Sequence, residues 1–476
     1  MLTLADVVQG LVNVRPPEWE RKATRVVLDS RQVEAGDVFF AVRGERADGH
    51  DFVGDALAKG AALAVIARPV EGGVPLLDLT VPQPALPQAW AFPLLLRVHD
   101  SIEALQQLAG FWRRRHSPRV IGVTGSIGKT TTKELIADVL ARRYCTLRSE
   151  KSFNNEIGLP LTLLRLTPDV ERVVLEMGMY DVGEIAGLAR IALPHVGVVT
   201  IISPVHLERA GTMERIVQAK TELVQALPPA PEGVAILNAD EPLVLGMRTA
   251  TRARVFTYGL SPQADLWADE IEGLGLEGVA FHLHYREETL HVKVPLLGRH
   301  SVHTALRATA VGLSEGLTWQ EIIEGLCAPS PQLRLVAVNG PHGSTVLDDT
   351  YNSSPASAIA ALNLLAELGG RRIAVLGDML ELGDYEREGH ELVAMRAMEV
   401  VDVLITVGAR GRMIGETALR WGMPADRVYV VEDNEAAISI LERLVGAGDV
   451  ILVKGSRALR MEEIVAALGG DRWTSH

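Results

Sequence analysis

Residues 119–135, RVIGVTGSIGKTTTKEL, set an apolar run (Val120, Ile121, Val123) before a loop holding Gly125, Ser126, Gly128, Lys129 and Thr130. A helix-forming segment follows at once. Strand, glycine-rich loop, helix is the order that a nucleoside triphosphate site requires. Glycines let backbone N–H groups close around phosphate oxygens, and the helix N-terminus adds its positive partial charge. In such a loop Lys129 reaches the β/γ-phosphates and the Thr130 hydroxyl ligates Mg²⁺. The strict G-x-x-x-x-G-K-[ST] spacing asks for glycine where this chain has Val123; the nearest glycines are Gly122 and Gly125. The flanking pattern outweighs that departure, and the stretch predicts ATP binding.

Outward from this loop, composition sets bounds. A chain of 476 residues exceeds one compact core, so two to three domains are expected. The net charge of −13 argues against a nucleic-acid-binding surface, while a small anionic substrate held by a few local cations stays possible. Cys145 and Cys327 are the only cysteines, which excludes a disulfide framework and a zinc cluster. The opening MLTLADVV carries Asp6 and no basic segment, unlike a signal peptide. No apolar run reaches the roughly 18 residues that span a bilayer. The expectation is a soluble, cytoplasmic protein with no nucleic-acid or membrane partner.

Three segments emerge: 1–98, 99–328 and 329–476. The first is small and mixed, with strands expected at Val26–Leu28 and Val38–Val42 around Asp29-Ser30-Arg31. Its Pro-rich stretch from Val81 to Pro93 reads as the way out of the domain. The second follows the loop with strands at Val173–Leu175, Val196–Ile201 and Val234–Leu237 alternating with helical patterns, the mark of a parallel sheet covered on both faces. Residues 253–296 break the alternation with runs such as VAFHLHY and LHVKVPL, an expected antiparallel patch. Cys327-Ala-Pro-Ser-Pro-Gln reads as a second linker. Beyond it, Arg372–Leu376, Val403–Val407, Val428–Val431 and Val450–Val453 restore the βα pattern, predicting a separate doubly wound domain without a P-loop.

Phosphoryl transfer calls for Mg²⁺ ligands near the loop, at the C-terminal ends of strands. Glu176 ends Val173–Leu175, and His206 follows Val196–Ile201 after a short turn. Either alone reads equally well as a cap or a solvated loop residue; a P-loop in the same sheet strengthens the ligand reading. Lys220 stands out. Met213, Ile216, Val217, Leu223, Val224 and Leu227 mark one helical face, and Lys220 falls on it. Desolvation there lowers a lysine's pKa, and the neutral amine can act as a base or take up CO₂ as a carbamate. The plainer alternative, a snorkelling lysine paired with Glu176 or another acid, is favoured by the pattern alone. In the third segment, the polar turn Asp348 to Pro355 can hold a ribose or a peptide end, or simply cap a helix. LGDMLELGD (376–384) and VKGSR (453–457) also lie at strand ends.

Taken together, these segments resemble the Mur ligases of bacterial cell-wall synthesis, and among them the type that adds D-alanyl-D-alanine. DSRQVEAGDVFFAVRGERADGHDF is similar to the part that holds the UDP end of the precursor, and TGSIGKTTTKE to the ATP loop. FNNEIGLPLTLL and EMGMYDVGEI resemble the strands that follow, and HLERAGTMERIVQAKTEL the metal and lysine region. DDTYNSSPAS, AVLGDMLELGD and ILVKGSR resemble the C-terminal signatures.

The resemblance implies a small mixed α/β N-terminal domain for the UDP precursor, a central P-loop ATPase domain and a C-terminal Rossmann-like domain. It implies ATP-dependent joining of D-Ala-D-Ala to UDP-N-acetylmuramoyl tripeptide through an acyl phosphate, by a monomer using two Mg²⁺ ions. Thr124, Gly125, Ser126, Ile127, Gly128, Lys129, Thr130, Thr131, Asn238, Arg334 and Asp349 are then the ATP contacts. Ser30, Arg31, Tyr351 and Asn352 face the other substrates. Thr130, Glu176, His206 and a carbamate on Lys220 hold metal, with Lys129, His206 and Lys220 catalytic; this reverses the plainer reading of Lys220. The three segments are expected to close as rigid bodies. Two departures stand out: Ser301 and Thr304 replace both asparagines of the family's G-x-H-N-x-x-N segment, leaving its adenine contact open, and Ser152 precedes Phe153-Asn154-Asn155 where asparagine is common. The rivals are a neighbouring ligase of the superfamily, such as the type that adds the third amino acid or a folate-type polyglutamate ligase, and a non-enzymatic nucleotide switch.

Overall fold

The computed structural model describes the chain except residues 17–18, 21–23, 45–46, 71–72, 82–83, 85, 87–90, 151–152, 205–206, 329–335 and 470–476, and the side chains of 209 and 210. It is an α/β protein with three sheets, each in its own segment.

Short β-branched and leucine runs build the first sheet, whose five strands are all parallel. Their order is Val26–Val27, Val38–Phe40, Leu63–Ile66, Leu94–Arg97, Leu76–Asp78. The Pro-rich stretch is therefore not the exit. After it the chain returns as Leu94–Arg97, which is buried between Leu63–Ile66 and Leu76–Asp78. The exit follows, through Asp100, whose carboxylate caps the helix Ser101–Arg114. One apolar cluster runs across this boundary, from Leu4, Val7 and Leu96 through Leu105 and Trp112 to Leu163 and Leu175. Gln107 donates to the Gly10 carbonyl and Trp112 to that of Leu166. The first and central segments thus share a core, which leaves little independence for a rigid-body movement between them.

The central sheet has nine strands in the order Glu288–Val294, Val279–Tyr285, Leu266–Gly273, Arg254–Gly259, Val234–Asn238, Val196–Val199, Arg119–Thr124, Arg172–Glu176, Thr146–Arg148. The expected antiparallel patch is smaller than 253–296. Arg254–Gly259 continues the parallel run beside Val234–Asn238, and only the pairings of Val279–Tyr285 with Leu266–Gly273 and with Glu288–Val294 are antiparallel. Helices Lys129–Leu140 and Val302–Ser314 cover one face over Ile121, Val123, Val196 and Val198.

The C-terminal sheet runs Val336–Asn339, Thr345–Asp349, Val450–Lys454, Arg372–Gly377, Val403–Val407, Val428–Val431 and is parallel apart from its first pair. The buried residues of its two cores, around Leu376 and around Ile405, belong to this segment, with Leu297 of the central segment packed against the first.

Candidate active site

Strand Arg119–Thr124 lies between Val196–Val199 and Arg172–Glu176; the chain leaves it toward Thr146–Arg148 on one side of the sheet, and leaves its neighbour Val196–Val199 toward Val234–Asn238 on the other. Open α/β sheets bind ligands in the crevice at such a switch point, outside the strands' C-terminal ends. The loop 125–128 occupies that crevice. Gly125 takes φ +142°, and a Cβ there would meet Thr200 Oγ1 at 1.8 Å; Gly128 takes φ +80° and starts the helix Lys129–Leu140. Only glycine suits both conformation and clearance at Gly125. Thr200 donates to the Ile127 carbonyl, and Ser126 Oγ bonds both the carbonyl and the N–H of Ser203, so the loop is held from behind.

Within the loop, Lys129 Nζ donates to the carbonyls of Gly125 (2.8 Å) and Ser126 (3.3 Å). Thr130 Oγ1 donates to Glu176 Oε2 at 2.7 Å, and Asn154 Nδ2 to Glu176 Oε1 at 2.9 Å. Ser149 Oγ accepts the Glu176 N–H, while buried Lys133 holds the Ser149 carbonyl. Glu176 is thus a buried carboxylate with fixed orientation, beside a hydroxyl and opening on the cleft. Thr124 lies behind the loop, fully buried, and donates to the Met177 carbonyl.

Lys220 is 2 % exposed and borders the same cleft. Among the described residues no carboxylate pairs with it, and Glu176 is engaged with Thr130 and Asn154 instead. The snorkelling ion pair is therefore not what the fold builds. Burial, and then the like charge of Lys129, push the Lys220 amine well below its ordinary pKa.

The cleft, ≈ 2150 Å³ in volume, brings together residues from all three segments, from Leu28 to Ala458. Ser126, Ile127, Gly128, Lys129, Thr130, Thr131 and Asn238 line it from the central segment, and Asp349, Tyr351 and Asn352 from the C-terminal one. On the latter side Lys454 Nζ, 2 % exposed, donates to Asp349 Oδ2 at 2.6 Å and to the Asn352 carbonyl at 2.9 Å, and Arg457 stacks over the Tyr351 ring. Ser30 and Arg31 do not line this cleft; Ser30 is buried, and exposed Arg31 pairs with Asp29. His206 and Arg334 lie outside the described residues, as does Ser152. Asn154, Arg307 and the Lys454–Asp349 pair escaped the reading of the sequence. Asn154 and Lys454 sit in motifs that were noticed, whereas Arg307 had a periodic signal only, on the buried face of Val302–Ser314.

Three family models match in order along the chain: the Mur ligase family catalytic domain over residues 22–112, the Mur ligase middle domain over 123–312, and the Mur ligase glutamate ligase domain over 333–457. The UDP-N-acetylmuramoyl-tripeptide--D-alanyl-D-alanine ligase of Bacillus subtilis is 36 % identical over 470 residues, covering 98 % of this chain and 97 % of its own. The MurF crystal structure from Acinetobacter baumannii superposes with TM-score 0.83 at 29 % identity, covering 97 % of each chain. MurF ligase from Thermotoga maritima, solved with ADP, matches at TM-score 0.77 and 28 % identity, covering 94 % of this chain and 97 % of its own.

Proposed function

The chain belongs to the Mur ligase family, and from that premise we propose that it is of the MurF type. It joins D-Ala-D-Ala to UDP-N-acetylmuramoyl tripeptide at the expense of ATP, in peptidoglycan precursor synthesis. One observation carries the reading: a phosphate-binding loop, a buried carboxylate and a desolvated lysine meet the C-terminal strand ends in one cleft.

A carboxylate is a poor electrophile, and phosphorylation gives it a leaving group. The tripeptide's terminal carboxylate attacks the γ-phosphorus of ATP; the bond to the β,γ-bridging oxygen breaks, giving ADP and an acyl phosphate. The amine of D-Ala-D-Ala then attacks the acyl carbon, loses a proton and expels inorganic phosphate. Two anions must meet in the first step, so positive charge has to be placed between them. Lys129, with the N–H groups of 125–131, supplies part of it. Thr130 and Glu176 offer hard oxygen donors at the loop, a set that fits Mg²⁺ bound through one or two carboxylates and the nucleotide's phosphates. Bound there, Mg²⁺ would neutralise phosphate charge. Lys220 in its neutral form can take up CO₂, forming an N–C bond and releasing a proton, to give a second carboxylate beside the loop. His206 and Arg334 keep the metal and nucleotide roles that the resemblance gives them, Asn238 and Asp349 contact the nucleotide, and Tyr351 and Asn352 meet the incoming peptide. Segment 1–98, with Ser30 and Arg31, takes the UDP end; 99–328 holds ATP; and 329–476 presents D-Ala-D-Ala. The enzyme works as a monomer in the cytoplasm, where ATP is available. Among the described residues no helix is long and apolar enough to cross a membrane.

An assay of ADP release with one component omitted at a time tests this. Turnover should require both UDP-N-acetylmuramoyl tripeptide and D-Ala-D-Ala. Hydrolysis indifferent to both would make the protein a nucleotide switch, and turnover with a UDP-dipeptide and a free diamino acid would assign it to the neighbouring ligase type.

A further inference from the structure

Helix Val302–Ser314 carries a cation that the loop's own chemistry does not call for. Arg307 is 5 % exposed, yet it borders the cleft. Its Nη2 donates to Thr304 Oγ1 at 2.8 Å and its Nη1 to the Tyr258 hydroxyl at 3.4 Å, while Nε has no partner. Among the described residues it forms no ion pair with a carboxylate within 4.0 Å. Two of five guanidinium N–H groups are therefore engaged, in a place where burial removes water. A buried cation in that condition is strongly unfavourable unless an anion completes it.

The place where an anion would bind is on hand. A Cβ built on Gly128 would stand 3.5 Å from Arg307 Nη2, so the guanidinium packs against the loop at the residue that opens the helix Lys129–Leu140. Backbone N–H groups of such a loop cradle the α/β-phosphates, and a guanidinium presents a planar fork that suits phosphate oxygens. Thr304, where the resemblance expects an asparagine, instead holds Arg307 in position.

We propose that Arg307 is an anion-binding residue of the nucleotide site, donating to α/β-phosphate oxygens from the Gly128 side of the loop. This rests on the ATP reading above, and the loss of the asparagines is then coupled to a gain of phosphate affinity.

Calorimetric titration with ADP, together with inhibition by adenosine, separates the two. Wild-type protein that fails to bind ADP would overturn the ATP reading itself. Given wild-type binding, Arg307→Met should weaken ADP by about 10- to 100-fold, the range for a hydrogen bond between charged groups, and leave the adenosine inhibition constant within about 2-fold. Arg307→Lys should fall between, since it keeps the charge and loses the fork. ADP affinity unchanged in Arg307→Met would overturn the proposal, as would equal losses for ADP and adenosine, which would make Arg307 a support for Tyr258. Should the methionine variant fail to fold, Arg307→Lys decides alone: ADP binding as in wild type sinks the proposal, and a selective loss for ADP upholds it.

Discussion

On the central wall of the cleft Lys220 and Arg307 are buried without a carboxylate among the described residues, whereas on the C-terminal wall Lys454 is buried against Asp349 at 2.6 Å. The C-terminal segment shows the same habit behind that wall: Asp378 accepts the N–H groups of Arg410 and Gly411, and His390 takes the Met379 N–H on one nitrogen and bonds the Glu386 carbonyl with the other. One wall is a finished network that fixes its loops before any ligand arrives. The other keeps a guanidinium and a desolvated amine without a carboxylate partner among the described residues; in the readings proposed above, the nucleotide's phosphates meet the first and CO₂ reacts with the second. That contrast says where stability and where turnover should be sensitive, because a satisfied pair is costly to break and an unsatisfied cation is cheap to remove.

The largest effect should fall on the finished wall. Lys454→Met strips Asp349 of its buried partner and the Asn352 carbonyl of a donor, and should cost about 3–5 kcal/mol of folding stability by chemical denaturation. A loss below about 1 kcal/mol would show that the two walls do not differ as described.

Lys129→Ala addresses the opposite wall. The lysine contacts loop carbonyls, so the fold should survive with little change in midpoint temperature. Turnover should drop by about 10²–10³-fold, matching the ~2.7–4 kcal/mol for losing a contact to transition-state charge. A variant that keeps more than about a tenth of wild-type turnover would remove the P-loop from the mechanism.

Lys220→Met sharpens the contrast further, since it should separate stability from activity. A lysine with a depressed folded pKa binds fewer protons folded than unfolded, so the native state is penalised below the unfolded value near 10.4 and gains stability as pH rises toward it. Removing the amine should therefore raise stability at pH 7, by about 1–4 kcal/mol in CO₂-free buffer, if it behaves like other replacements of buried charge by apolar groups. Activity should be lost, and in Lys220→Ala short carboxylic acids should restore part of it by standing in for the carbamate. A stability loss on removing Lys220 would point to an ordinary structural lysine.

Much of this was readable in the chain. Val403–Val407 and Val428–Val431 are bounded as their β-branched runs predict, and the loop 125–128 sits where strand, glycines and helix place it. Long periodic runs report the sheet because burial on both faces demands apolar residues throughout. Short strands such as Leu76–Asp78 and Leu94–Arg97 carry too few residues for a period, and the prolines between them read as an exit. Glu176 and Lys220 were visible from strand end and helix face. The long-range contacts were not: Asn154 reaches Glu176 from 22 residues away and Lys454 reaches Asp349 across 105, and such separations are set only when the sheet registers close. Arg307 was hidden for a related reason, as its lack of a carboxylate is a property of the packed neighbourhood and not of the helix that carries it.

The smallest predicted effect lies where the two walls meet, at His300. Burial, then the charges of His303, Lys454 and Arg307, push its imidazole down to about 4. It is neutral in the folded protein at pH 7, while the unfolded chain takes up a proton near 6.5. Between these values the unfolded state binds more protons, so stability is whole above about 6.5 and is lost as pH falls toward 4. Between pH 6.5 and 5.5 the loss attributable to this one group should be about 1 kcal/mol, since a full proton of difference is worth about 1.36 kcal/mol per unit. Other carboxylates and histidines titrate too, so the quantity to measure is the difference between wild type and His300→Asn across that interval. Bound ADP should reduce this difference, because phosphate near Arg307 offsets one of the cations that hold His300 neutral. A difference that ADP leaves unchanged would mean that His300 senses burial alone, and that the two walls do not share a field at this point.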